Sequence, residues 1–517
     1  MPNTGNHAQR KSPATDLVAD AGTRDGRSKH NGPARVFPGR LDWAGRCFDT
    51  RRGGRRSTTA PAGARPGRSP AHARRRPVGI QTPAGRISQG VIMSRQPPAS
   101  ASPMHSPRHV AVIGAGMVGL STAWFLQEAG VHVTVYERSH VGSGASWGNA
   151  GWLTPTLTAP LPEPAVLRYG LRAVLSPRSP VYLPLRADRN LWRFLASFVS
   201  HSTARQWRRG MAAYIPLNER ALEAFDVLAA GGVTARTRTA ATFLACFARE
   251  RDARGLLTEL EHIRDAGQDV SFRTILGWWA RTVEPVLTPQ VGAAIQIYGQ
   301  RYLNPPEFID SLALAVRARG AEVVEQVRVT GLHHRAGTVF VACEDGEQHQ
   351  HDAVVVATGA SLPDLAGPFG VRQPVQAGRG YSFSVPVEHM PGGPLYFPKQ
   401  RVACTPLNDR LRVAGMMEFR HHSDPLDPRR VAAIVEAVRP LLTGVNLDDR
   451  REEWVGSRPC TPDGLPLIGA TGCPQVFVAG GHGMWGIALG PVTGQLLAQA
   501  MVKGDTPTEL LPFDPLR

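Results

Sequence analysis

Residues 109–137 read HVAVIGAGMVGLSTAWFLQEAGVHVTVYE, and this stretch decides the fold. The apolar run Val110-Ala111-Val112-Ile113 is short enough for a strand buried on both faces. Gly114-x-Gly116-x-x-Gly119 follows at once, then a helical pattern from Leu120 to Glu128 closed by Gly130. A second strand, His132 to Tyr136, ends in Glu137, with 17 residues between Gly119 and Glu137. Strand, glycine turn, helix, strand and acid in this register make a dinucleotide-binding unit. Gly114 allows the tight turn, Gly116 lets a pyrophosphate approach the backbone, and Gly119 lets the helix pack close to the sheet. The helix N-terminus offers unpaired N–H groups to phosphates, and Glu137 suits an unphosphorylated ribose diol. The motif alone leaves FAD and NAD both open.

Outward from this unit, the chain of 517 residues has room for two or more domains. Its formal charge of +17 suggests nucleic acid, but the distribution argues against it. Residues 1–100 hold 19 Lys and Arg against 5 Asp and Glu, which leaves 40 against 37 for the remainder. The six cysteines are scattered without a CxxC pair, which fits a reducing compartment and no metal site or disulfide frame. No apolar run is long enough to span a bilayer. A cytoplasmic protein with at most peripheral contact with the inner face of the cell membrane is expected.

Residues 1–105 are rich in Arg, Gly, Pro, Ala and Ser and show no helical or strand period. Such a segment buries too little apolar surface to offset its ordering entropy, so disorder is expected. The preferred reading is a translation from an over-early start, with the functional start at Met93 or Met104. A tail without specific function, a targeting segment and a nucleic-acid arm poor in stacking aromatics are the alternatives.

After Glu137 the loop Arg138 to Gly151 is dominated by small and hydroxyl residues. It leaves space beside a cofactor, and Arg138, Ser143, Ser146 and Gly148 are its candidate contacts. Residues 160–230 read as mostly helical, with apolar spacing in 191–199 and 215–228. Trp192, Phe194 and Phe198 are read as packing against the body, with a membrane or partner contact as the alternative. Residues 240–300 mix short strands and helices. A helix from Phe308 to Ala318 ends at Gly320. Strands are expected near Glu322–Leu332, Thr338–Glu344 and Gln348–Ala357. The last opens into Ala357-Thr358-Gly359-Ala360, a second strand-to-loop junction beside the nucleotide, with Thr358 and Gly359 as contacts. Strands at 381–386, 394–398, 401–405 and 411–416 suggest an antiparallel sheet, and a helix follows from Val431 to Leu442. Near the end, a strand from Val476 to Ala479 runs into Gly480-Gly481-His482-Gly483-Met484-Trp485-Gly486-Ile487, and a helix from Pro491 to Val502 follows. Gly481, Gly483, Gly486 and Ile487 are candidates there. A cofactor held at both ends of the body must be large, which favours FAD over NAD.

Together IGAGMVGLSTAWFL, ERSHVGSGASWGNAGWLTP, VVVATGA, GRGYSFS, SRPCTPDGLPLIG and GGHGMWGI resemble the FAD-dependent D-amino-acid dehydrogenase family, in the wider group of glycine, sarcosine and D-amino-acid oxidases. The likeness runs from about His109 to Val502. It implies an α/β fold, with a Rossmann-like FAD-binding domain built from both chain ends and an antiparallel-sheet substrate domain. The segments expected are a leader, 1–105; FAD-domain parts at 106–225, 301–372 and 451–517; and substrate-domain parts at 226–300 and 373–450. It implies oxidation of a Cα–N bond by hydride transfer to flavin, giving the imino acid and then the oxo acid. The small-molecule substrate expected is a D-amino acid or a cyclic imino acid, and a quinone or respiratory-chain acceptor is expected, with oxygen as the alternative.

Arg458 stands at the position that resembles the family's carboxylate-binding arginine, between Gly456 and Thr461-Pro462-Asp463-Gly464, with a structural arginine paired with an acid or bonding backbone carbonyls as the alternative. Tyr381 sits in a strand that in the family faces the pocket, so it is a catalytic candidate with a core aromatic as the alternative. His482 lies in a loop that in the family runs beside the flavin, where it either sets flavin electronics or packs. Gln296 to Tyr302 replaces a more acidic stretch common in that family, so Arg301 is read as a solvated arginine, with contact to an acidic or cyclic substrate as the alternative. Sarcosine oxidases attach flavin through a Cys seven residues before the motif Asp; that position is Gly456 here, so non-covalent FAD is expected. An oxygen-using amine oxidase and a non-catalytic flavoprotein subunit of a larger complex remain as alternatives.

Overall fold

The strand His109–Ile113 lies third in a six-stranded sheet, between His132–Tyr136 and Ala353–Val356. Val110, Ala111 and Val112 are fully buried, and burying each valine stabilises the fold by about 1.5–3 kcal/mol. Glu322–Val324 forms one edge, and Val476–Gly480 adds parallel to Ala353–Val356. Leu467–Ala470 closes the other edge antiparallel. Both ends of the body therefore build one sheet. The computed structural model describes residues 106–164, 179–183 and 188–517. The basic leader, with its expected disorder and candidate starts, lies outside the described residues.

Helices Met117–Glu128, Pro305–Ala318, Ala204–Ala230 and Gly486–Lys503 cover one face of this sheet around a shared apolar core. A small antiparallel sheet, Val329–Arg335, Thr338–Cys343 and Gln348–His351, packs on the other face. No helix of the described residues is long and apolar enough to cross a membrane.

The second layer is a nine-stranded, mainly antiparallel sheet. It joins Arg451–Cys460, Gln376–Val385, Arg410–Phe419, Val402–Leu407 and Leu395–Phe397 to three strands from 244–297, and the short strand Val181–Tyr182 pairs with Arg410–Phe419 as the ninth. The helix Pro428–Val438 buries Val431, Ile434 and Val438 against it. The loop after Glu137 is pinned against this sheet. Ser382 donates to the Gly148 carbonyl at 2.7 Å, and Thr405 to the Ala150 carbonyl at 2.7 Å.

Three element readings are corrected. The strand expected over Glu322–Leu332 is two strands in different sheets, Glu322–Val324 and Val329–Arg335. Gln326 between them takes a left-handed φ of 61°, which ends the first strand. The strand expected over Gln348–Ala357 also divides, Gln348–His351 joining the small sheet and Ala353–Val356 the six-stranded one. The closing helix starts at Gly486 rather than Pro491. Pro491 lies in its second turn, where the missing N–H removes a single helical hydrogen bond.

Candidate functional site

The carboxyl ends of the central parallel strands open into a cavity of about 680 Å³, well within the size range of ligand sites. Gly114, Gly116 and Met117 line it at the start of the first helix, and Thr358, Gly359 and Ala360 at the second strand-to-loop junction. His482, Gly483, Met484, Gly486 and Ile487 come from the last junction. Two helix N-termini thus border one space, which suits anionic groups.

Glu137 reaches this space with its carboxylate braced. Oε2 accepts from the Ala115 N–H at 2.9 Å, and Oε1 from the Ser139 N–H at 3.0 Å. Ser146 Oγ accepts from the Met117 N–H at 3.1 Å, which ties the small-residue loop to the helix start. Ser143 also lines the cavity, and Arg138 stands exposed at its rim. The Thr358 hydroxyl and the His482 Nδ1 are buried without a hydrogen-bond partner. Both residues line the cavity, and an unmade polar bond in a buried place is what a bound polar ligand would complete. The donors, the braced acid and these unpaired atoms fit a dinucleotide cofactor.

Arg458 lies on the same cavity, on the strand Arg451–Cys460. Its Nη1 donates to the Met416 carbonyl at 2.8 Å and touches the Met417 sulfur at 3.9 Å. No carboxylate of the described residues lies within ion-pair reach of it. Burial pulls its guanidinium below the ordinary value, yet it stays charged. Its guanidinium lies over Gly380, where an added Cβ would sit 2.2 Å from Nη2. The Gly483 N–H donates to the Pro459 carbonyl at 2.8 Å, so the last loop is fastened beside this arginine. His482 Nε2 is 2.9 Å from Thr493 Oγ1, and burial lowers its pKa to about 4, so the ring is neutral at physiological pH.

Four candidates do not line the cavity. Tyr381 is fully buried on the far face of its strand, where its hydroxyl donates to Glu418 Oε2 at 2.6 Å. Burial and that carboxylate push its phenol above the ordinary value. Gly148 packs under the Trp454 ring, 2.1 Å from where a Cβ would be. Gly119 packs against the strand turn, with its would-be Cβ 1.9 Å from the Gly114 carbonyl. Gly481 turns the chain against Thr461 and Leu467. Arg301 is also elsewhere, paired with Asp226. The cavity gains Val327, Arg328, Ser361 and His422, which sequence reasoning missed. His422 Nε2 is 3.4 Å from Ser361 Oγ, and no local motif marks either residue.

The profile of the family described as FAD dependent oxidoreductase matches residues 109–500. A D-amino acid dehydrogenase of Rhizorhabdus wittichii is 29% identical over 397 residues, which cover 75% of this chain and 95% of that protein. Glycine oxidase from Bacillus cereus superposes with a TM-score of 0.58 at 21% identity, over 78% of this chain and 97% of that one. Iminodiacetate oxidase from Chelativorans sp. BNC1 gives 0.59 at 20% identity, over 78% and 98%. These two structures share the fold described above.

Proposed function

The chain belongs to the FAD-dependent oxidoreductase family and takes FAD as its cofactor, and from that membership we propose that it oxidises the Cα–N bond of a D-amino acid or a cyclic imino acid. The observation that carries this reading is Arg458, a guanidinium at the cavity wall with no carboxylate partner in the described chain. A substrate carboxylate is the group that completes it.

When bound, FAD supplies the two-electron acceptor for the Cα–H bond. Arg458 holds the substrate carboxylate through two parallel hydrogen bonds and so fixes which face of Cα is presented. Hydride leaves Cα and a proton leaves nitrogen, giving a C=N bond that water opens to an oxo acid and ammonia or, in a cyclic substrate, to an oxo acid that keeps the amine on its own chain. His482, with its pKa of about 4, is too weak a base to take a proton from an ammonium group at neutral pH. The substrate amine therefore enters neutral.

Among the described residues no cysteine lines the cavity, and Gly456 does, which supports non-covalent FAD. The relative from Rhizorhabdus wittichii carries the name dehydrogenase, which supports electrons passing to a quinone or respiratory-chain acceptor. A stoichiometric yield of peroxide would instead favour an amine oxidase of the glycine or sarcosine type.

The test is Arg458→Lys, with D-amino acids, hydroxyproline isomers, sarcosine and glycine screened by flavin bleaching. Replacing a two-pronged charged grip by a point charge lowers kcat/KM by about 100-fold or more. Flavin content and melting temperature stay near wild type. Unchanged kinetics would remove Arg458 from the site. A substrate panel that never bleaches the flavin would leave a non-catalytic subunit.

A further inference from the structure

The nine-stranded sheet ends differently at its two edges. The edge strand Arg451–Cys460 opens with Arg451, Glu452 and Glu453, all exposed, and Glu452 takes a left-handed φ of 56°. Charge and an interrupted backbone keep a further strand from adding there. The opposite edge is Phe272–Leu276, with one charged residue and an unbroken backbone. That residue, Arg273, is turned back onto its own sheet. Its Nε and Nη2 donate to Gln296 Oε1 at 3.1 and 2.9 Å, and its guanidinium lies 5.9 Å from the Tyr298 ring centre. Thr274 and Leu276 are exposed along this edge. Trp278 and Trp279 follow at once, 59% and 40% exposed.

The backbone of this edge is also free. The strand pairs antiparallel with Ala293–Ile297, Arg273 opposite Gln296 and Ile275 opposite Ala294. The Tyr298 N–H donates to the Ser271 carbonyl and the Gly277 N–H to the Gly292 carbonyl, both at 2.9 Å. Backbone groups alternate in direction along an antiparallel ladder, so Arg273 and Ile275 bond inward in step with these two. Phe272, Thr274 and Leu276 turn their N–H and C=O groups outward. Among the described residues none of these outward groups has a hydrogen-bond partner. Charge changes sign along the same edge. Glu261, Asp265 and Asp269 precede the strand, and Arg264, the one arginine among them, lies over the Phe272 ring at 4.7 Å. From Arg273 to Val283 there are two arginines and no Asp or Glu.

We propose that this edge pairs with the same edge of a second copy of the chain, antiparallel about a two-fold axis through Thr274. That register uses all three outward residues. Phe272 meets Leu276 of the second copy, Thr274 meets its own equivalent, and each pair exchanges two backbone hydrogen bonds. The antiparallel sense lays the acidic approach of one copy, Glu261 to Asp269, towards the Arg273–Arg281 end of the other. A parallel pairing would set like charges side by side. The surface is self-complementary, as a two-fold interface requires. Leu276, Trp278 and Trp279 expose roughly 300 Å² of side chain on each copy. That is under half of the about 800 Å² per partner in a standard interface. The dimer is therefore weak, with a dissociation constant on the order of micromolar.

The test uses the full-length flavin-loaded chain in a Cys47→Ser background, where the five remaining cysteines are buried. Sedimentation equilibrium at rising concentration is expected to approach twice the mass of one chain. Thr274→Pro removes an outward N–H and leaves the inward ladder intact. Leu276→Lys puts a charge on the edge. Each raises the dissociation constant about tenfold or more, a loss of about 1.4 kcal/mol, with flavin content unchanged. Should Thr274→Pro lower the melting temperature, Leu276→Lys alone decides. Oxidised Thr274→Cys links two chains, because Cα atoms of a bonded pair lie about 5.5 Å apart. Leu276→Cys does not link to itself, because its equivalents lie four residues out of step, about 13 Å apart. Three results overturn the proposal. They are a monomer throughout the micromolar range, association that Leu276→Lys leaves unchanged, and cross-linking of Leu276→Cys as efficient as that of Thr274→Cys.

Discussion

Tyr381 and Arg458 lie on paired strands yet face opposite ways, and strand alternation explains why. Gly378 and Gly380 occupy the face crossed by the Arg458 side chain, while Arg379, Tyr381 and Phe383 occupy the other. The strand was legible in the sequence, but its facing was not, because the alternation of small and large residues fits either side. The two glycines were the available clue, since a strand gives up side chains where another group must lie against its backbone. Arg458 was legible because a local motif carries it. Tyr381 instead belongs to a buried network in which Glu418 also meets Arg379, Arg420 and Arg430. Tyr381→Phe should therefore cost about 1–3 kcal/mol of stability by unpairing a buried carboxylate oxygen. Steady-state kcat and KM should stay within about twofold of wild type. A large rise in KM without loss of melting temperature would return the phenol to substrate binding.

At the scale of elements, the cavity depends on two helices that approach backbone to backbone. Gly490 and Gly494 of the closing helix face Met117 and the Ser121–Thr122 peptide. A Cβ at Gly494 would sit 2.7 Å from the Thr122 nitrogen. Backbone cannot swing aside as a flexible side chain does, so Gly494→Ala should force the helices apart at about 1–3 kcal/mol. Both helices begin at the cavity wall, so FAD retention on gel filtration should fall with it. Full retention with an unchanged melting temperature would mean that the helix pair has slack. The first helix was legible from its strand and glycine turn. The early start of the closing helix was not, because Pro491 signals a helix start by itself and only the packing of Gly490 and Gly494 on the first helix requires the earlier one. The division at Gln326 was equally hidden, since Val323 and Val329 suit a strand equally well and their sheets are chosen by distant partners.

Across the whole molecule, the cofactor cradle built from both ends of the body was legible from similar strand–glycine–helix junctions there, and the antiparallel layer from the strand pattern over 381–416 and the family resemblance. The order of the nine-stranded sheet was not, because Leu395–Phe397 pairs with Leu244–Phe247 across a long stretch of chain. The assembled core also sets an acid limit. His482 has a folded pKa of about 4 against an ordinary 6.5. Between these values the unfolded chain binds a proton that the folded chain does not, so stability is full above about pH 6.5 and is lost as pH falls towards 4. The loss from this ring reaches about 3 kcal/mol. His351, lowered to about 4 by burial beside His109 and His349, acts in the same direction. Urea unfolding at pH 7 and pH 4.5 should show a smaller pH difference in His482→Asn than in the wild type. Equal differences in the two proteins would contradict a buried neutral ring.

The sheet that joins both ends of the body also sets a timetable. Val476–Gly480 leaves the ribosome more than a hundred residues after its neighbour Ala353–Val356. At elongation speeds of about 5–20 residues per second that is a wait of roughly ten seconds, during which an apolar strand has an open edge. Cofactor capture must then come after translation has passed the last junction. Stalled nascent chains ending near residue 470 should gain no protease protection from added FAD, whereas chains stalled so that Lys503 has cleared the exit tunnel should gain it.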